Sequence, residues 1–139
     1  MTVTIHIESG PLEAATSFPC DGAGAIVAFE GIIRPHEPDE QSEQDRPIEA
    51  IEYEAYRPMA EEKLRELAER ALQHYGLKRI RVTHSEGSVP VGACSFRLEI
   101  ASAHRAEGLE AMGWFIDTMK RDVPIWKRPR FVKQKESAP

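Results

Sequence analysis

Arg79-Ile80-Arg81-Val82-Thr83-His84, Gly87-Ser88-Val89-Pro90-Val91-Gly92 and Ala93-Cys94-Ser95-Phe96-Arg97-Leu98-Glu99-Ile100-Ala101 are the stretch that decides the fold. The first and third pieces read as strands, and the third alternates cleanly. Cys94, Phe96, Leu98 and Ile100 share one face, with Ser95, Arg97 and Glu99 on the other. Two glycines and a proline between them punctuate a turn. A link of hairpin length cannot hold the crossover that parallel neighbours need, so the two strands pair antiparallel.

Outward from this hairpin the pattern continues. Residues 2–7 alternate, with Val3, Ile5 and Ile7 on one face. Gly24 to Ile33 is largely apolar and interrupted by Gly31, which predicts a buried strand with a bulge. Ile48 to Tyr56 alternates again as a half-buried strand. The polar stretch between them, rich in Glu37, Asp39, Glu40, Glu43 and Asp45, predicts an exposed mobile loop over about 35–47. Pro58 suits the first turn of a helix whose stripe is Ala60, Leu64, Leu67, Ala68, Ala71, Leu72 and Tyr75, and Gly76 stops it. A second helix from about Arg105 to Arg121 turns Leu109, Met112, Phe115, Ile116 and Met119 inward and ends at Asp122-Val123-Pro124. A short last strand follows from Ile125 to Lys133, and residues 134–139 are expected to fray. Many strands served by two helices define an α+β domain with a mostly antiparallel sheet, one domain over 1–139.

Composition narrows the function. The chain has 139 residues, 41% of them apolar, and a net charge of −5, as in an ordinary soluble protein. The charge is uneven. Residues 120–139 carry seven Lys or Arg against Asp122 and Glu136, a net +5, so the first 119 residues carry −10. No leader-like N-terminal pattern or membrane-length apolar run is visible, which gives a cytoplasmic expectation. Cys20 and Cys94 show no metal or redox spacing, and no metal site is expected.

Three clusters could carry chemistry. Lys120 ends the second helix and Lys127 follows Pro124-Ile125-Trp126, so two ammonium groups can converge on one anion. A solvated basic tail is the competing reading. Ser102-Ala103-His104-Arg105 sits at a strand-to-helix junction, where free N–H groups favour an anion. Cationic side chains there oppose the helix dipole unless an anion is bound; a plain cap is the alternative. Phe29-Glu30-Gly31-Ile32-Ile33-Arg34 ends an apolar strand on an arginine, which is either an anion clamp or a polar exit. Binding of single-stranded nucleic acid is disfavoured, because the body is acidic and only Trp126 and Phe131 offer stacking surfaces.

Together these pieces resemble the large, catalytic subunit family of molybdopterin synthase. The matching segments are Gly24 to Arg34, Glu52-Tyr53-Glu54-Ala55-Tyr56 with Pro58-Met59-Ala60, Ser102 to Arg105, and Lys120 through Lys127. The resemblance implies a hammerhead-type α+β fold and a homodimer within a heterotetramer. Its other member is a ubiquitin-like sulfur-carrier small subunit that inserts its Gly-Gly C-terminus as a thiocarboxylate. It implies sulfur transfer to cyclic pyranopterin monophosphate, a substrate rather than a cofactor, to form the molybdopterin dithiolene. By motif position it makes Lys120 and Lys127 catalytic, Arg34 a pocket arginine and Phe29 a pocket-lining aromatic. His104 and Arg105 become a substrate-anion site lent by the neighbouring protomer. The family places an acidic residue two positions after the second lysine, where this chain has Pro129. A diverged, non-catalytic anion- or carrier-binding paralogue is the alternative.

Overall fold

The computed structural model describes residues 2–133. The elements run β1 (Val3–Ser9), β2 (Ala25–Ile32), β3 (His36–Asp39), β4 (Gln44–Ala55), α1 (Met59–Tyr75), β5 (Arg79–Pro90), β6 (Cys94–Ser102), α2 (Arg105–Asp122) and β7 (Ile125–Phe131). Seven strands form a sheet of order β2-β6-β5-β4-β3, with β1 beside β5 and β7 beside β4. Only β1 with β5 is parallel; the other pairings are antiparallel.

β5 organises the molecule by serving two parts of the sheet. Arg79–His84 pairs with β6, whereas Gly87–Pro90 pairs with β4. The segment from Gly87 to Gly92 expected as a turn is therefore mostly strand, and the reversal is confined to Val91–Gly92. Gly87 and Gly92 both have positive φ, 85° and 86°, which bends the strand and closes the reversal where a side chain would be strained. Alternation of Val89 with polar and turn residues was too short to reveal the second pairing.

α1 and α2 cover one face of β1, β2, β5 and β6. Ala60, Leu64, Leu67, Ala68 and Ala71 of α1 meet Val3, Ile80, Val82, Leu98, Ile100 and Phe115 in one core. Burying each large aliphatic or aromatic side chain contributes roughly 1.5–3 kcal/mol. Gly76 ends α1 in the left-handed region at φ 63°, as its position predicted. Leu109, expected inward, is 56% exposed, while Gly108, Ala111 and Thr118 take inward places. The stripe is set by close approach to β2 and β6, which small residues allow.

The polar face of β6 is also buried, which alternation did not predict: all nine residues of the strand are inside. The irregular segment 11–20 covers that face. Glu99 accepts two bonds of 2.7 Å from Arg81, and Arg81 also donates to the carbonyls of Thr16 and Ser17. Arg97 donates to the carbonyl of Glu13 at 2.8 Å. Alternation reports contrast between faces; it cannot tell a solvated polar face from one satisfied by a strap.

Two further expectations change. β2 is an edge strand, not a buried one, with Ile26 and Ile32 about half exposed and a register shift at Gly31–Ile32 where the bulge was predicted. The polar stretch 35–47 is a β3–β4 hairpin, with His36 opposite Pro47 and Asp39 opposite Gln44. Arg46 holds Asp39 at 2.7 Å, and this guanidinium keeps the Asp39 carboxyl below its ordinary range. Polar composition was read as mobility, but cross-strand pairing makes the segment a structural wall. The expected fraying of 134–139 lies outside the described residues.

Candidate active site

α2 runs antiparallel to β6 and thus alongside β2, so its two ends define two regions. At its start, Gly24 packs against the Ala103 carbonyl with no room for a Cβ. A Cβ on Gly108 would lie 2.8 Å from Ser102 Oγ. These close approaches join the beginning of α2 to the beginning of β2. At its end, Lys120 arrives beside the end of β2, where Phe29 and Arg34 lie, and beside Lys127 on β7.

There a cleft of about 730 Å³ opens. Phe29, Arg34, Lys120 and Lys127 all line it, so four of the six residues singled out from sequence converge. Its floor is Ile51, Phe96 and Met119, and Phe29 packs on Phe96 with ring centroids 6.0 Å apart. Among the described residues no carboxylate lies within ion-pair distance of Lys120, whereas Lys127 Nζ is 3.5 Å from Glu37 Oε1. The lysine on the helix is thus free to meet a ligand anion.

Sequence reasoning missed Glu37, Tyr53, His84 and Ser95, which also line the cleft. Tyr53 Oη and Ser95 Oγ are hydrogen bonded at 3.0 Å, and burial raises the Tyr53 pKa. His84 is buried edge-on to Tyr53 and against Phe96, with centroids at 5.1 and 5.7 Å. Its Nδ1 lies 2.7 Å from the Ser85 carbonyl, which can only accept, so Nδ1 carries the hydrogen. Burial lowers the pKa of His84. Glu37 was hidden by the loop reading. The other three sit on strands from separate parts of the chain, and no local spacing brings them together.

His104 and Arg105 do not reach this cleft. They stand exposed at the other end of α2, about 23 Å of helix rise from Lys120. His104 is the N-cap of α2, and its backbone N–H donates to Glu107 at 2.6 Å. Ser102 does not cap the helix; its Oγ donates to the His104 carbonyl. Glu107 places a negative charge in the first turn, so opposition to the dipole does not by itself demand a ligand there. The basic strip of β7 is likewise partly answered. Arg130 pairs with Glu52 at 2.9 Å and Arg128 with Glu54 at 3.4 Å.

A mostly antiparallel α+β sheet backed by two helices, with a cleft that gathers Arg34, Lys120 and Lys127, offers three cationic side chains to one site, a set that can hold an anion. Comparison with known proteins gives the family. The family model described as "MoaE protein" matches residues 4–122. The chain belongs to that family. It is 41% identical over 105 residues to the molybdopterin synthase catalytic subunit of Homo sapiens, covering 76% of this chain and 53% of that protein. It is 38% identical over 118 residues to the molybdopterin synthase catalytic subunit of Thermoplasma volcanium, covering 85% of this chain and 82% of that one. The chain thus spans about half the length of the human relative and most of the archaeal one. Among solved structures, molybdopterin synthase from Staphylococcus aureus superposes with a TM-score of 0.76 at 25% identity, covering 92% of this chain and 91% of that one. A complex of subunits 1 and 2 of molybdopterin-converting factor from Helicobacter pylori shares the fold, with a TM-score of 0.68 at 21% identity and coverage of 94% and 91%.

Proposed function

We propose that this chain is the catalytic subunit of a molybdopterin synthase. It transfers sulfur from a thiocarboxylated small carrier to cyclic pyranopterin monophosphate, forming the dithiolene of molybdopterin. The observation that carries the reading is the convergence of Arg34, Lys120 and Lys127 on one cleft beside Phe29. Both reactants are anions, and cations fixed by strands and a helix offset their repulsion and stabilise charge that develops on the acyl oxygen. Lys120 has the role nearest the chemistry, because its helix holds it and no carboxylate among the described residues occupies it. Lys127 holds the carrier tail or the pterin, and Arg34 clamps an anion.

The cleft of one chain lacks His104 and Arg105, and the fold suggests how a second copy supplies them. The outer edge of β2 pairs with no described strand and exposes Ile26 and Ile32. A two-fold axis through the middle of β2, antiparallel edge to edge, sets Ala25 of one copy opposite Ile32 of the other. Because Ala25 lies beside Ser102, the partner's α2 N-terminus then falls by the cleft, on the same face of the joined sheet. His104 and Arg105 are in this arrangement a second anion clamp. The carrier partner, a ubiquitin-like protein ending in Gly-Gly, completes a heterotetramer.

The test is a reconstituted assay of purified chain, thiocarboxylated carrier and cyclic pyranopterin monophosphate. Wild type converts the pterin, and Lys120→Ala loses about 100-fold or more in kcat with its circular dichroism unchanged. Normal turnover by Lys120→Ala would remove that residue from the chemistry. Carrier binding without any turnover by wild type would establish the non-catalytic alternative instead.

A further inference from the structure

Glu37 is the acidic residue least expected in a cleft that gathers cations. It sits on β3 within a polar hairpin whose other side chains are mostly exposed, yet it is only 7% exposed. Its two carboxylate oxygens face different partners: Oε1 is 3.5 Å from Lys127 Nζ and Oε2 is 3.7 Å from Arg34 Nη2. A carboxylate withdrawn from water is costly unless paired, so this one is held by, and holds, two cations from opposite ends of the sequence.

Lys127 needs such a partner because its own strand supplies none. On β7 the side chains on its face two residues away are Ile125 and Pro129, and its neighbours are Trp126 and Arg128. Across the sheet the register partner of Lys127 is Tyr53, which carries no charge while its pKa stays raised. A long ammonium side chain, 56% exposed, would otherwise sample many rotamers. Among the described residues Glu37 is the one carboxylate that reaches it.

We propose that Glu37 is a positioning residue, a buried carboxylate on the β3–β4 hairpin that aims Lys127 and Arg34 into the cleft and supplies Lys127 with the carboxylate its own strand does not offer. The hairpin is then part of the active-site wall, tied to β4 by Arg46 and Asp39 on its outer turn. The inference rests on the sulfur-transfer reading for its consequence, though the geometry of the clamp is independent of it.

The experiment compares wild type, Glu37→Gln and the double variant Glu37→Gln with Pro129→Glu. Gln keeps the shape and removes the charge, and Glu at 129 puts a carboxylate on the same face of β7, two residues from Lys127. In the reconstituted assay Glu37→Gln is expected to lower kcat about 10- to 100-fold, as when groups that hold the reactants in line are misplaced, and to raise KM as well, because Lys127 and Arg34 hold the anions. The double variant is expected to recover most of that loss. The second readout needs no turnover: acetylation of Lys127 by acetic anhydride, followed by mass spectrometry and referenced to Lys63 on α1. It is expected to speed several-fold in Glu37→Gln and return toward wild type in the double variant. Unchanged kcat and unchanged labelling in Glu37→Gln would overturn the proposal. So would a loss of kcat that Pro129→Glu does not restore, since Glu37 would then serve the hairpin alone. If wild type shows no turnover while the labelling pattern behaves as described, the clamp stands and the sulfur-transfer reading falls.

Discussion

His84 makes the stability of the cleft sensitive to acid. It is 6% exposed, enclosed by Tyr53 and Phe96, and its one hydrogen-bonded nitrogen donates to the Ser85 carbonyl. Burial drives its pKa below the 6.5 of a free imidazole, because a second proton would place an unsolvated charge among apolar rings. Of the charged groups sharing the cleft, Arg34, Lys120 and Lys127 oppose that charge, and Glu30 and Glu37 favour it. In the unfolded chain His84 takes up a proton as pH falls through 6.5, while the folded chain takes it up only at lower pH. Unfolding therefore binds a proton, so this contribution is fully present above pH 6.5 and is lost as pH falls from there toward the folded-state pKa. The slope cannot exceed about 1.4 kcal/mol per pH unit, so the loss between pH 6.5 and 5 is at most about 2 kcal/mol. His84→Asn can keep a donor toward Ser85 and cannot titrate. Urea unfolding followed by tryptophan fluorescence, at fixed protein concentration and at several pH values, should show wild type losing more stability than the variant on acidification, up to that bound. Absolute stability of the variant is not the readout, since the smaller side chain leaves a cavity. Parallel stability–pH curves for the two proteins would refute the argument.

Two other outcomes follow from the same structure. Glu99→Ala should cost about 3 kcal/mol in urea unfolding, because it leaves the half-buried Arg81 guanidinium without a counter-charge, facing the Thr16 and Ser17 carbonyls and the Phe18 ring. The double replacement Arg81→Met with Glu99→Leu should stay within about 1 kcal/mol of wild type; a double variant as unstable as Glu99→Ala would contradict this. Ile32→Asp on the outer edge of β2 should give folded monomers by analytical ultracentrifugation and lower sulfur transfer with them. A variant that remains dimeric would exclude that edge as the interface.

Much of the fold was legible because it is written in local chemistry. The α1 stripe and its Gly76 stop, the α2 boundaries, the bulge after Gly31 and the antiparallel relation of β5 to β6 need only neighbouring residues. The errors share a cause. Composition made the 35–47 stretch a mobile loop, because polar residues in a hairpin and in a disordered loop look alike until a partner strand is known. β2 looked buried for its apolar content, although an edge awaiting another chain is just as apolar. β6 looked half solvated, because no spacing announces that segment 11–20 will cover Arg97 and Glu99 with its carbonyls.

For function, the sequence by itself determined the chemical inventory: a lysine at the end of a helix, another past Pro-Ile-Trp, an arginine after an apolar strand, and an order of motifs like that of the molybdopterin synthase catalytic subunit. It also showed that Pro129 leaves Lys127 without an acidic neighbour on its own strand. Tertiary structure decided which of these groups meet. It brought Arg34, Lys120 and Lys127 to one cleft, left His104 and Arg105 at the far end of α2, and delivered Glu37 from β3 to Lys127. The physical reason is distance along the chain. An ion pair between residues 37 and 127 depends on the register of β4 with both β3 and β7, and the whole sheet has to form before that register exists.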